Sequence, residues 1–435
     1  MTEALALRPL RLPAFRRLAA ARLVDELGDW LGEIALAVLV FDRTGSPLAT
    51  AALFLALLFV PALATPPLVA RLESLPTRAS LPALNLVQAG AVAAIALLSS
   101  NFSLVWVVAL AALTGALAVS SRALSRAAAA AVVAPQGQLR EGNALLNISF
   151  TVGAAAGPAI AGVVVAGVGA RTALFADAAS FAAVAVLLAT ASGLPPAQPH
   201  AAGWAERLRE ALDYVRRRGL LRRLIGAQTA ACVFFAIVIP IEVVFAKQTL
   251  GAGDAGYGAL LASWGAGMVI GGFAFAALRR ASLQSLLAIS TFAVGCAYLA
   301  TAAAPTLLIA CLAAVGGGIG NGIQWVAVMT AVQQLTSDEF QARIISLLES
   351  LAKASPGVGF LIGGAVAAIA NPRVSFAVAG TGVIAVLAVA YLSLARAGWR
   401  SEAIDAAQHR SAPEGSQPTA SHGAGAPSHT AHHVD

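Results

Sequence analysis

The sequence predicts an all-α membrane protein of about twelve transmembrane helices in two pseudo-symmetric six-helix bundles. Three observations predict it. Of the 435 residues, 59% are hydrophobic and only 11% charged, whereas soluble domains average about 45–50% and about 25%. That much apolar surface cannot all be buried in a water-soluble core, so much of it must face lipid. Second, the apolar runs are long, continuous and rich in Ala, Leu and Gly. Only helices and closed barrels satisfy their backbone groups in hydrocarbon, and a barrel would show short alternating strands instead. Third, the two halves echo each other. Residues 143–180 and 343–380, offset by 200 (343 − 143), each pass through a Gly-rich helix. Each then crosses an Arg-bearing turn (Arg171; Arg373) before an aromatic-led helix (Phe175; Phe376). Such a repeat fits a duplicated bundle.

The elements follow in order. Residues 1–17 form a basic N-terminal segment (Arg8, Arg11, Arg16, Arg17). The run after it carries four acids and no A-x-A pattern, so it reads as an uncleaved first helix and not a signal peptide. The first bundle covers 18–191, with spans near 18–41, 47–70, 81–99, 102–124, 143–167 and 172–191. Residues 192–220 form a linker whose Trp204, Leu208, Ala211, Leu212 and Val215 recur at helical spacing opposite an arginine-rich face. That helix is expected either along the membrane surface or as an ordinary linker helix. The second bundle covers 221–396, with spans near 221–245, 257–278, 283–302, 306–331, 344–370 and 374–395. The Ser-, Gly-, Pro- and His-rich tail, 397–435, is expected to be disordered, and its histidines are not expected to hold a metal.

The net charge of +7 does not point to nucleic acid, because the basic residues fall in loops between apolar runs. One set of loops holds Arg71, Arg78, Arg122, Arg126, Arg140, the central-linker arginines, Arg279, Arg280 and Arg343. The other holds only Arg43, Arg171, Lys247 and Arg373. By the positive-inside rule both termini are cytoplasmic, in an inner (cytoplasmic) membrane. Cys232, Cys296 and Cys311 lie far apart inside apolar runs, so no disulfide framework or metal spacing follows. There is no phosphate-binding loop, no intramembrane His and no zinc spacing. No cofactor is expected, and the chain is not expected to be an enzyme.

Ionisable residues within spans are costly and mostly functional, at about 2.5–3.5 kcal/mol each on insertion scales. The first helix holds Arg22, Asp25, Glu26, Asp29 and Glu33. At about 100° per residue they fall within an arc of about 100°, a face that cannot meet lipid. Asp29 lies some 16 Å from the start of the span, about mid-bilayer. Packed carboxylates can hold either a proton or a cationic solute, so Asp29 and Glu33 are the candidate coupling residues. Asp25 and Glu26 read more simply as ion-pair partners of Arg22. Glu349 and Lys353 stand at i, i+4 in the order that favours a helical pair; a pair that opens during transport is the alternative. Asn321, Gln324 and Trp325 follow Gly316-Gly-Gly318 and are candidate solute contacts or interhelical hydrogen-bonding groups. Asp177 and Glu242 are placed near the ends of their helices, Asp177 as a structural residue.

Several stretches resemble exporters of the major facilitator superfamily, the drug and siderophore efflux branch in particular. They are Phe15-Arg-Arg-Leu18, Leu27-Gly-Asp29, Phe41-Asp-Arg-Thr-Gly-Ser46, Glu141-Gly-Asn-Ala-Leu145, Asp177-Ala-Ala-Ser-Phe181 and Arg343-Ile-Ile-Ser-Leu347. In the fifth helix Ala144, Gly153, Gly157, Pro158, Ala161 and Gly162 are similar to the superfamily's antiporter motif, with Ala for Gly twice. Small residues there allow close helix approach, and a mid-membrane Gly-Pro bends a helix. The loop after the second helix departs from the family pattern and keeps only Glu73 and Arg78 of its gating residues. The resemblance implies a monomeric secondary transporter whose partners are a small-molecule solute, protons and membrane lipid, working by alternating access. A lipid or lysolipid translocase of the same fold, or a non-transporting scaffold or sensor, are the rival readings.

Overall fold

A computed structural model describes residues 7–72, 75–191, 193–194, 204–278 and 280–395. Glu73, most of the loop before the linker helix, Arg279 and the C-terminal tail lie outside the described residues. Every regular element among the described residues is helical. Helix α1 is Pro13–Thr44, with proline at its start and Gly45 (φ 60°) ending it in the left-handed conformation. Ser46 then accepts from the Ala49 N–H and starts α2. This helix runs as Pro47–Phe54, a π-helical turn Leu55–Phe59, and Val60–Leu72. Thr77–Leu98 is α3 and Leu104–Val133 is α4.

The 51-residue stretch Leu139–Ala189 is helical except at Gly169 (φ 80°). At about 1.5 Å per residue it is more than twice the bilayer core, so it must turn back there. Residues 139–168 are α5 and 170–189 are α6. The chain stays helical through Pro158, so its break falls at the glycine. The second half supplies α7 (Gly219–Thr249, irregular after Ala236), α8 (Gly253–Ala277), α9 (Leu283–Ala303) and α10 (Leu307–Leu335). It ends with α11 (Asp338–Ala354 then Pro356–Ile369) and α12 (Pro372–Ala395). Among the described residues, ten helical stretches are long and apolar enough to cross a membrane. The doubling at Gly169, and α1 with its charged face, make the arrangement consistent with twelve crossings.

The packing is lopsided along the membrane normal. At the end away from the linker, one core is shared by both halves: Ile34–Phe41 of α1 meet Val243–Ala246 of α7, Tyr257, Phe360 and Phe376. At the linker end the halves have separate cores. Phe15, Leu18, Leu81, Leu124 and Leu188 form one; Leu220, Leu224, Val332, Ile344 and Leu347 form the other. The halves are therefore closed together at the far end.

Glycines make that closure tight. A Cβ at Gly162 of α5 would lie 2.6 Å from Cα of Gly258 on α8, and one at Gly364 of α11 would lie 2.6 Å from Cβ of Ala51 on α2. Lys247 of α7 completes it, donating to Asp42 of α1 (2.5 Å) and to Asp254 of α8 (2.6 Å).

The linker helix, Trp204–Arg217, differs from the surface-bound expectation. Its Ala211 and Val215 are buried against Leu335, Ile344 and Leu347 of the second bundle. Tyr214 stacks on Phe340 (4.4 Å between ring centroids), and Arg343 pairs with Glu210 at 3.1 Å. Protein therefore covers Ala211 and Val215 on that side.

Candidate functional site: an acidic cavity in the first bundle

The charged face predicted for α1 is real and turns inward. Asp25 and Glu26 are buried, at 8% and 6% exposure. Arg22 lies 3.3 Å from Asp25 and 2.5 Å from Glu26, so the first turn of charges is internally paired. Deeper in the bundle, Asp29 accepts from the Arg122 guanidinium of α4. Arg122 was placed in a loop by the sequence, on an expected span ending near 124. In the structure α4 continues to Val133, and Arg122 lies inside the bundle. The missed signal was the alanine-rich run Ala127–Val133, with no breaker before Pro135, which lets the helix pass both Arg122 and Arg126.

Two other helices are shaped to fit α1. On α5, a Cβ at Gly153 would lie 2.2 Å from Glu26, and one at Gly157 would lie 2.5 Å from the Trp30 ring. The motif glycines are thus the surface that α1 needs for its acid and its indole. On α6, a Cβ at Gly28 of α1 would meet Ser180 Oγ at 2.1 Å, and one at Gly32 would meet Asp177 Oδ2 at 2.1 Å. Ser180 donates to the Asp177 backbone carbonyl (2.8 Å) and to its carboxylate (3.3 Å). Asp177, expected near a helix end as a structural residue, instead lines the same cavity as Asp29 and Glu33.

The result is a cavity of about 140 Å³ whose polar lining is Glu26, Asp29, Glu33, Thr114, Arg122 and Asp177. The π-helical turn of α2 adds Leu57 and Leu58 to its wall, a distortion common at functional sites. Five carboxyl groups (Asp25, Glu26, Asp29, Glu33, Asp177) here face two guanidiniums (Arg22, Arg122).

The remaining candidates scatter. Glu349 and Lys353 are both exposed on α11, and the ion pair expected between them is not formed among the described residues. Asn321 and Trp325 are half-buried on α10, and Gln324 donates to Thr291 of α9 at 2.9 Å. In the motif, Ala161 and Pro158 are buried, Gly162 serves the closure of the two halves, and Ala144 is exposed. Arg78 is exposed, and Glu73, the other retained residue of that loop, lies outside the described residues.

A second cavity, also of about 140 Å³, lies among α7, α9, α10 and α12. Its polar groups are Gln228, Gln284, Thr291 and Gln324, and no charged side chain lines it.

Residues 4–422 match the family described as transmembrane secretion effector. The chain belongs to that family. No curated protein matches its sequence. Solved structures share its fold. The nucleoside transporter NupG, as a point variant, superposes with a TM-score of 0.69 at 13% identity, covering 87% of this chain and 99% of that one. A bacterial homologue of the human lysosomal transporter Spinster, inward-facing and unoccupied, gives 0.67 at 13% identity, over 91% and 97%. A POT family transporter crystallised with a thioalcohol-conjugated peptide gives 0.70 at 10% identity, over 88% and 96%. At these identities the likeness is one of fold. With the family match, it makes the chain a multi-pass membrane transporter of the major facilitator fold.

Proposed function

We propose that this transporter exports a small organic solute in exchange for protons, by alternating access of its two bundles. The linker end would face the cytoplasm of the cell that carries it in its inner membrane, as the arginine distribution suggests. The observation that carries the reading is the cavity at mid-depth lined by Asp29, Glu33 and Asp177 together with Arg122, whose guanidinium pairs with Asp29. A site with more carboxyls than counter-charges alternates between taking a proton and taking a cationic or hydrogen-bonding solute. The far-end closure supports the rest, since a carrier held shut on one side by small residues and one lysine bridge is ready to rock. In this reading the closed far end makes the structure the cytoplasm-open state.

The test is export read as uphill uptake into inverted vesicles with an acidic lumen, with Asp29→Asn and Glu33→Gln made singly. Both should uncouple transport from the gradient while leaving downhill exchange measurable. Full gradient-driven uptake in both variants would overturn the coupling role of α1.

A further inference from the structure

The cavity of the second bundle is not used by that reading, and its chemistry is of another kind. Gln228 spends its carboxamide N–H on Cys232 Sγ (3.5 Å) and Gln324 spends its own on Thr291 Oγ1 (2.9 Å). Neither carboxamide oxygen accepts a hydrogen bond from the described protein, and neither is sealed from the cavity. Acceptors of this sort, with Gln284 beside them and no charge in the wall, suit hydroxyl donors and give an ion nothing to pair with.

A surface groove adjoins this cavity. It measures about 420 Å³ and runs along the seam of α7 and α12, sharing Ala227, Val386 and Ala390 with the inner cavity. The groove reaches the outer surface of α12, where Val389 is 69% exposed on a span that lipid surrounds. Small residues keep the seam open: Gly226, Ala227 and Ala230 face Ala385 and Ala390 across it. The polar pocket thus adjoins a groove on the lipid-facing surface that is apolar except for Arg223. That layout matches a molecule with a small hydroxyl-bearing head and one alkyl chain.

We propose that the second bundle binds an uncharged single-chain amphiphile taken from the surrounding leaflet, its head among Gln228, Gln324 and Thr291 and its chain in the α7–α12 seam. The site goes beyond the proton-coupling reading and stands whether or not α1 carries protons. A full-length chain in nanodiscs of phosphatidylethanolamine and phosphatidylglycerol would be photolabelled with a monoacylglycerol carrying a diazirine in its chain. The adducts would be mapped by mass spectrometry. Labelling should concentrate on 224–231 and 385–390 and should be competed by unlabelled monoacylglycerol. Ala227→Trp, which fills the junction of cavity and groove, should lower it by about tenfold. Gln228→Leu with Gln324→Leu keeps the packing volume and should lower it by a similar factor, so the test survives if the tryptophan variant misfolds. Asp29→Asn should leave the labelling unchanged, which separates this site from the acidic cavity. Labelling spread over all lipid-facing helices, or unmoved by all the α7 and α10 variants, would overturn the site. Equal, competable labelling by an alkyl trimethylammonium of the same chain length would overturn its preference for an uncharged head.

Discussion

The two bundles carry cavities of similar size built on corresponding helices, α1, α4 and α6 in one and α7, α10 and α12 in the other, yet they differ in kind. The buried charged side chains among the described residues, Asp25, Glu26 and Asp177, are in the first bundle, while Glu242 on α7 of the second is half-buried. The polar lining of the second cavity is three carboxamides and a hydroxyl. One duplicated scaffold therefore lines one of its two cavities with charge and the other with neutral hydrogen-bonding groups. The glycines around α1 and those between α8 and α10 also differ in what they meet. Gly28, Gly32, Gly153 and Gly157 are spent on fitting polar or aromatic side chains around α1. Gly267, Gly271, Gly318 and Gly322 let the backbones of α8 and α10 touch directly. Close packing thus places polar and aromatic groups around α1 and brings the backbones of α8 and α10 together.

The comparison breaks first at Arg122. If it is the counter-charge on which the acidic cavity depends, Arg122→Gln should cut gradient-driven transport by about a hundredfold, the scale of about 3 kcal/mol for an unpaired buried charge. Asp29→Asn combined with Arg122→Gln should restore expression but not coupling, which flux and detergent-stable yield would show together. If the double variant transported normally, charge in the first bundle would be incidental.

Next in size is the steric claim. Gly32→Ala should lower stability by about 1–3 kcal/mol, because its methyl would overlap the Asp177 carboxylate. Gly316→Ala on α10, where a Cβ meets nothing within 4 Å, should leave the unfolding midpoint where it was. Thermal unfolding in one detergent distinguishes the two, and equal shifts would erase the contrast drawn between the bundles.

Smaller still is the far-end bridge. Lys247→Ala should shift the population toward far-end opening by a few-fold, consistent with the ~1 kcal/mol typical of partly exposed ion pairs. Spin-label distances between the far ends of α1 and α8 would report it. The smallest effect expected is that of Gln324→Leu on proton coupling, which should be nil within error in the same vesicle assay, since that residue belongs to the neutral cavity.

Much of this was readable because a bilayer leaves little choice: apolar runs of spanning length must be helices, and a charged stripe on one of them must turn inward. The inward face of α1 followed from angular spacing alone. Arg122 did not, because an arginine near the end of an apolar run looks like a loop residue unless the run beyond it is followed to its breaker. Asp177 was misjudged for a different reason: its depth depends on the turn at Gly169, and its neighbour is Gly32, 145 positions away in sequence (177 − 32). Which glycine makes room for which side chain is a long-range property, so the role of Gly153 and Gly157 could be read only as close packing. The Glu349–Lys353 pair fails on similar grounds, since favourable spacing on one helix does not bring two exposed, long side chains together.

Lys247 has two acceptors, and only one of them belongs to the other bundle. When the far ends separate, Asp254 travels with the lysine on the same bundle, and Asp42, already 47% exposed, is the group handed to water. The ammonium is never left bare, so opening this side costs only the hydration exchange of a single half-wet carboxylate. Closing it again requires no lone cation to be stripped of water. Salt dissolved on that side alone should then tune the balance between the two states, leaving the opposite side indifferent.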